Sequence, residues 1–343
     1  MPGKIKITNI DSIDGLFKAF ESLKVLIFGD VMIDSYLWGK VERISPEAPV
    51  PIINVQKKDQ RLGGAANVAL NVQSLGATPV LCSVIGNDTE AKDFITLLEQ
   101  NNLSTEGIIK SDSRITTIKH RVISGSYHML RVDQEIDTPI TSEETTLLLE
   151  KAKKLIQQAD VIIFEDYDKG TLHKDLIAEI VKLANEHGIP TVVDPKKRNF
   201  LHYKGTTLFK PNKKEMKEGL KLDGDLDNIN ELKSSIDLLR SILNADTILV
   251  TLSEKGVIIA SSEETHHIPA HLREIADVSG AGDTVVSAAA LCCALNINHK
   301  TLAELSNLAG GIVCEHVGVV PIDKKMLMAE AKRLNVQVNN LTD

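Results

Sequence analysis

Short β-rich runs alternate with helical stretches along almost the whole length of this chain, and that rhythm admits few architectures. Apolar runs at 25–28, 80–85, 161–164, 191–193, 207–209, 248–251 and 257–261 read as strands, most of them too continuously apolar to leave either face in water. Helical patterns fill the gaps at 65–75, 90–101, 142–158, 174–187, 229–243 and 284–295, and helices at about 300–316 and 324–334 finish the chain. Strands buried on both faces and separated by helices predict an α/β fold, a mostly parallel central sheet flanked by helices. With 343 residues and 43% hydrophobic content the chain can bury a large core. No internal repeat, low-complexity linker or composition break divides it, so one main domain is expected.

Two regions break the βα rhythm. Residues 36–55 are rich in Val, Ile and Pro, and 116–124 with 127–133 alternate around the turn Ser124-Gly125-Ser126. Together they predict a small β-sheet lying as a lid over the ligand end of the main sheet, where it would keep water away from a reactive group.

Charge narrows the partners. Lys and Arg total 39 against 47 acids, a formal charge of −8 with no block of like sign, so neither nucleic acid nor an anionic membrane surface is expected as a partner. A local basic pocket for a phosphorylated metabolite stays open. The first twenty residues lack the unbroken apolar region of a signal peptide, and no run of 18 apolar residues occurs, so the expected location is the cytoplasm. Cys82, Cys292, Cys293 and Cys314 show no metal or redox spacing and sit in apolar segments, as buried reduced thiols would. His266-His267 and Cys314 with His316 have no second cluster and read as structural.

Chemistry concentrates in Asp277-Val278-Ser279-Gly280-Ala281-Gly282-Asp283-Thr284, placed before a long apolar helical run. One reading is a glycine turn with an aspartate cap. The other is an anion hole: small residues let a ligand approach the backbone, the first helical amides point outward at the positive end of the dipole, and Asp283 stands beside them as a base. Asp277 and four further segments favour the second. Gly29-Asp30 and Asp34 follow the first strand, at the sheet end where α/β folds bind ligands, and could accept bonds from a polyol; a turn or cap explains them equally. Leu62-Gly63-Gly64-Ala65-Ala66-Asn67 opens a helix with bare backbone and an amide suited to sugar hydroxyls, or is a tight capped loop. Asn212 and Glu215, three residues apart after a strand, could hold water around a Mg²⁺ ion or form a capping box, and both can hold at once. Thr251 to Gly256 is a turn between apolar strands that can offer a hydroxyl and amides to phosphates. A GxGxxG after the first strand, a Walker loop and the protein-kinase signatures are all missing from the sequence.

Gly63-Gly64-Ala65-Ala66-Asn67-Val68-Ala69 and the stretch from Asp277 to Ala288 resemble, in order and separation, the two signatures of the ribokinase/PfkB carbohydrate kinase family. The Gly29-Asp30 start, Asp34, Asn212 with Glu215 and the 251–256 turn are similar to its intermediate marks. The resemblance covers about residues 22–330, leaving 1–21 as an N-terminal extension and 331–343 as a tail, with the lid at about 35–55 and 115–133. It implies a ribokinase-like fold and ATP-dependent phosphorylation of a sugar hydroxyl, with Asp283 as catalytic base and Gly280, Ala281 and Gly282 forming the anion hole. It further implies Asp30, Asp34, Gly63, Gly64 and Asn67 toward the sugar. Toward ATP it implies Asn212, Lys213, Lys214, Glu215, Thr251, Ser253, Gly256 and Asn307. Mg²⁺ would be held through water by Glu215, with room for a monovalent cation, K⁺, and a homodimer through the β lid is the implied assembly. Ser253 and Ser279 depart from the family's common Gly and Thr.

Within the family, the run from Arg43 to Pro51, Asp194-Pro195-Lys196 and Lys210-Pro211-Asn212 are similar to a branch acting on heptose 7-phosphates. That implies phosphorylation of the anomeric hydroxyl of D-glycero-β-D-manno-heptose 7-phosphate to the 1,7-bisphosphate, on the ADP-heptose route to lipopolysaccharide. A phosphorylated sugar needs cations at its far end, and Arg43, Lys119, Arg121, Arg131 and Lys196 are the candidates, Arg43 and Lys196 leading. A kinase for ribose, fructose or tagatose 6-phosphate and a silent nucleotide-binding regulator are the competing readings.

Overall fold

Successive residues of the first strand serve two different hydrophobic cores. Val25 and Ile27 are buried in one, Leu26 and Phe28 in the other, and Val161 and Ile163 against Ile162 and Phe164 repeat the division on the neighbouring strand. Such strands need helices on both faces, so their sheet becomes the middle of three layers. The computed structural model describes residues 10–125, 127–223 and 226–341; residues 1–9 of the expected extension and Ser126 of the expected turn lie outside them.

The first half of the chain forms α1 (Ile13–Phe20), β1 (Lys24–Gly29), β2 (Val31–Ile44), β3 (Pro51–Gly64), α2 (Ala65–Ser74), β4 (Thr78–Gly86), α3 (Thr89–Gln100), β5 (Ile108–Ser111), β6 (Ile118–Ser124), β7 (Tyr127–Gln134) and α4 (Ser142–Leu155). The second forms β8 (Val161–Glu165), α5 (Lys174–Glu186), β9 (Thr191–Asp194), β10 (Leu208–Phe209), α6 (Lys213–Gly219), α7 (Ile229–Leu243), β11 (Thr247–Thr251), β12 (Val257–Ala260), β13 (Thr265–Ile268), α8 (Ala281–Ala294), α9 (His299–Val313) and α10 (Lys324–Arg333). The main sheet has nine strands in the order β13-β12-β11-β10-β9-β8-β1-β4-β5. It is parallel from β5 to β11, and β12 and β13 close one edge antiparallel. The chain leaves β1 toward β4 on one side and reaches β8 on the other, so the strand order reverses at β1, where such sheets open a crevice at their carboxyl ends.

The lid is a separate four-stranded sheet, β3-β2-β6-β7. β2 and β3 pair antiparallel from Val31↔Gly64 at the root to Ile44↔Pro51 at the tip, longer than the 36–55 region predicted. The chain re-enters the core at Gly64, whose φ of +59° and closeness to the Asp30 carbonyl, 2.4 Å from where a β-carbon would stand, leave room only for glycine.

Four elements were not expected. β5 is four residues long and β13 reads Thr-His-His-Ile, too short and too polar for period-two alternation to show. The helix α6 follows the capping box that was expected, and α1 lies within 1–21. Ile13, Leu16, Phe17 and Phe20 of α1 join the core, and α1 packs against α10. The predicted buried thiols hold: all four cysteines are free, with Cys82, Cys292 and Cys314 buried.

Candidate active site

Four strand ends and one helix start converge at the crevice. Glu165 ends β8 and aligns with Gly29 on one side and Asp194, the end of β9, on the other. Lys210 directly follows β10 and pairs with Asp194 at 2.9 Å while 2% exposed. α8 packs on β8 and β9, which brings Asp283 of its first turn over them. Carboxyl oxygens of Glu165, Asp194 and Asp283 lie within 4.8 Å of one another. Burial pushes the Asp283 carboxyl up to about 6, with Asp194 adding to the rise and Asn67, Tyr167 and Lys210 opposing it. Burial and the same two aspartates hold Glu165 well above the usual carboxylate range, and neither of its oxygens has a hydrogen-bond partner among the described residues.

Asp283 is held at both oxygens. Asn67 Nδ2 donates to Oδ2 at 2.6 Å and the Tyr167 hydroxyl donates to Oδ1 at 2.8 Å. Asn67 is anchored by its neighbour: Asn71 Nδ2 donates to the Asn67 carbonyl at 2.9 Å, and the Thr284 hydroxyl donates to Asn71 Oδ1 at 3.0 Å, joining α2 to α8. Gly280 caps α8 without a side chain, at φ +80°, and the Ala281 amide reaches the Val278 carbonyl at 3.3 Å. In a helix start the amides of Gly282 and Asp283 have no intrahelical partner. A β-carbon on Gly282 would stand 3.5 Å from Asp194 and 3.7 Å from the Lys210 ammonium, so an anion at this helix start would lie against Lys210. Of the expected hole, Gly282 with the Asp283 amide is the open part, and Gly280 supplies the bend.

The expected sugar residues divide. Asp34 is buried, lies beside Gly63 and pairs with Arg121. Asp30 takes a structural role: it is 1% exposed, and its carboxylate accepts from the amides of Tyr167 at 2.9 Å and of Lys169 and Thr171 at 3.0 Å, so three of its acceptor positions are spent on folding the loop after β8 rather than on a ligand. Arg43 is exposed near the lid tip, nine residues beyond Asp34 and thus about 30 Å along the strand at about 3.3 Å per residue. Arg131 is exposed on edge strand β7 and pairs with Asp133 at 3.0 Å. Lys196 is also displaced, bonding Glu215 at 2.7 Å with its ammonium 5.3 Å from the Tyr167 ring centre. Two guanidiniums do converge on the lid. Arg61 and Arg121 lie 5.0 and 5.3 Å from the ring centre of Tyr36, and Arg61 reaches the Val319 carbonyl at 3.2 Å, with the Val319 side chain beside Gly280. Lys119 is taken by Asp133 and Glu135 at 3.1 and 2.8 Å.

On the other side, Asn212 and Glu215 form the capping box of α6, each side chain bonding the other's amide at 2.8 Å. Asn212 bridges to Thr251, which brings this helix start to the turn after β11. Ser253 at φ +55° and Gly256 at φ +88° shape that turn. Ser253, Lys213, Leu252, Leu226 and Ala270 help line a cavity of about 600 Å³. Asn307 does not enter it; its amide donates to the Pro269 carbonyl at 2.9 Å and fixes one wall. Lys214 is corrected, its side chain 84% exposed and 3.8 Å from Glu218. Each Glu215 oxygen accepts one bond, from the Asn212 amide and from Lys196, and keeps a lone pair. A free lone pair on each oxygen could accept from a water.

Sequence reading missed Glu165, Tyr167 and Lys210 as site residues. For Glu165 and Lys210 the signal was position alone, each directly following an apolar run read as a strand at the ligand end of the sheet, whereas Tyr167 lies in the loop beyond β8 and carried no such signal.

Residues 22–325 match the family described as pfkB family carbohydrate kinase. The Bifunctional protein HldE of Helicobacter pylori (strain P12) is 39% identical over 295 residues, 86% of this chain and 64% of that protein. The Bifunctional protein HldE of Desulfatibacillum aliphaticivorans is 39% identical over 323 residues, 94% of this chain and 65% of that protein. The chain thus spans under two thirds of the length of these relatives. Among solved structures, Escherichia coli phosphofructokinase-2 in complex with potassium superposes with a TM-score of 0.75 at 17% identity, covering 91% of this chain and all of that one. Arabidopsis thaliana ribokinase complexed with ribose and ATP gives 0.69 at 13% identity, covering 90% and 98%. These two share the fold, a ribokinase-like α/β sheet with a separate small sheet.

Proposed function

The chain belongs to the pfkB family of carbohydrate kinases, and on that premise we propose that it moves the γ-phosphoryl group of ATP to the anomeric hydroxyl of D-glycero-β-D-manno-heptose 7-phosphate. The observation that carries this is Asp283, buried at a helix start with no side-chain cap, clamped by Asn67 and Tyr167 and facing the Lys210–Asp194 pair. In the transfer the acceptor oxygen forms a bond to phosphorus, the bond to the ADP oxygen breaks, and the hydroxyl proton passes to Asp283. The step is loose, so the base chiefly orients the hydroxyl and takes its proton late. The amides of Gly282 and Asp283 and the Lys210 ammonium receive the charge of the transferred group. Mg²⁺ with ATP would neutralise phosphate charge, held through water by Glu215 and Asn212; a K⁺ ion is a further ligand to test. The nucleotide base fits the cavity beside Ser253 and Ala270.

The heptose phosphate itself is supported by the similarity of 43–51 and 194–196 to that branch, and by the two guanidiniums on Tyr36. Asp34 and Asn67 take sugar hydroxyls, and Arg61 with Arg121 takes the 7-phosphate in place of Arg43 and Lys196. A homodimer through the lid is supported by β7, an unpaired edge with Tyr127, Leu130 and Val132 exposed, and by exposed Ile44 and Val50 at the tip. No helix among the described residues is long and apolar enough to cross a membrane.

The test is ADP release with a panel of acceptors. Heptose 7-phosphate is expected to exceed unphosphorylated heptose, ribose and fructose by about two orders of magnitude or more in kcat/KM, about what two charge-assisted contacts supply, and to be preferred over tagatose 6-phosphate. Preference for any of the others overturns the heptose assignment.

A further inference from the structure

Tyr167 carried no expectation, yet it touches the proposed base directly. Its hydroxyl and the Asn67 amide each occupy one oxygen of Asp283, at 2.8 and 2.6 Å. A carboxylate held at one oxygen can still swing about its terminal torsion, which is broad; held at both, it presents a fixed remaining lone pair. Tyr167 is fixed in turn. Its amide and those of Lys169 and Thr171 converge on the buried Asp30 carboxylate, and Lys196 lies over its ring on the way to Glu215. One side chain therefore joins the base to Lys196 and, through it, to Glu215, which was expected on the nucleotide side.

We propose that Tyr167 is a positioning residue for phosphoryl transfer, which aims Asp283 at the acceptor hydroxyl and registers it against the Lys196–Glu215 pair. This rests on the carbohydrate kinase reading of the site. The phenol serves as a donor throughout and never as the base, because burial and the carboxylates of Asp283, Glu165 and Asp194 hold its ionisation far above the usual range. The groups around Asp283 are Asp194 and Glu165, which favour its neutral form, and Asn67, Tyr167 and Lys210, which favour its ionised form. Removing the Tyr167 donor therefore makes Asp283 harder to ionise.

Tyr167→Phe keeps the ring under Lys196 and removes only the O–H. The expected result is a fall in kcat of about 10- to 100-fold with the KM for ATP within about twofold, the signature of misplacement at the reacting centre. The acid limb of the kcat/KM profile should move to higher pH. A 3-fluorotyrosine at 167, a stronger donor of nearly the same shape, should move that limb the other way, and it carries the test if the Phe variant does not fold. Infrared titration of the Asp283 carboxylate, read as the difference from Asp283→Asn, needs no acceptor. An unchanged kcat and acid limb in Tyr167→Phe, or an unchanged Asp283 titration in both variants, overturns the proposal. A wild type that phosphorylates no sugar contradicts the kinase reading alone.

Discussion

Asp283 joins two roles that pull against each other. As a base it must be ionised, while burial pushes its carboxyl up to about 6, so kcat/KM should fall as pH drops through about 6 and stay flat above it. Asp283→Asn should keep the fold and ATP affinity and lower kcat by about 10²- to 10⁴-fold, the range for loss of a general base. Stability should move the opposite way. A carboxyl whose pKa is raised on folding, from 3.8 to about 6, binds more protons folded than unfolded across that window, so its contribution falls as pH rises through it. At pH 7.5 the neutral Asn variant should therefore melt about 1–2 °C higher than wild type by calorimetry, an increment of about 1 kcal/mol or somewhat more at this size. A lower melting temperature would mean that the bonds from Asn67 and Tyr167 more than offset the cost of burying the charge.

At the scale of elements, the start of α8 and the root of the lid set the site. Gly280→Ala forces a β-carbon into the left-handed region and to 3.0 Å from Asn67 Nδ2, so it should cost about 1–3 kcal/mol in denaturant unfolding and disturb the base through Asn67. On the lid, Arg61→Met and Arg121→Met should each raise the KM for the sugar phosphate about 10-fold or more while leaving that for ATP within about twofold. Arg131→Met, on the exposed edge, should change neither. The contrast shows what the sequence could disclose. Asp283, Asn67 and the Asn212–Glu215 pair were legible because each belongs to a short motif at a helix start, where spacing fixes geometry. Arg61 was not singled out, and Arg121 was not separable from Arg43, because strand period places a residue on a face but not at a distance along a 14-residue ribbon, while Arg131 stands directly opposite Arg121 across β6 and β7 and differs from it only in exposure. Asp30 read as a ligand because a carboxylate after a strand looks alike whether it faces a crevice or gathers the amides of a loop 137 to 141 residues away.

At the scale of the molecule, the alternation of strand and helix was enough for the three-layer sheet, whereas the β12–β13 edge and α1 rest on contacts between distant segments that no local pattern carries. The lid leaves apolar residues in water that a second copy would cover. Sedimentation should show a dimer, and Leu130→Lys on β7 should convert it to a monomer; a wild-type monomer at working concentration would contradict that assembly. The proposed function stands on phosphoryl transfer to the anomeric oxygen of a heptose 7-phosphate with Asp283 as base. Phosphorus NMR of the wild-type protein with ATP, Mg²⁺ and D-glycero-β-D-manno-heptose 7-phosphate reads it directly. The expected spectrum shows a new sugar 1-phosphate resonance growing in step with ADP and almost absent with Asp283→Asn; ADP formed without that resonance, or equal growth in both proteins, would rule the transfer out.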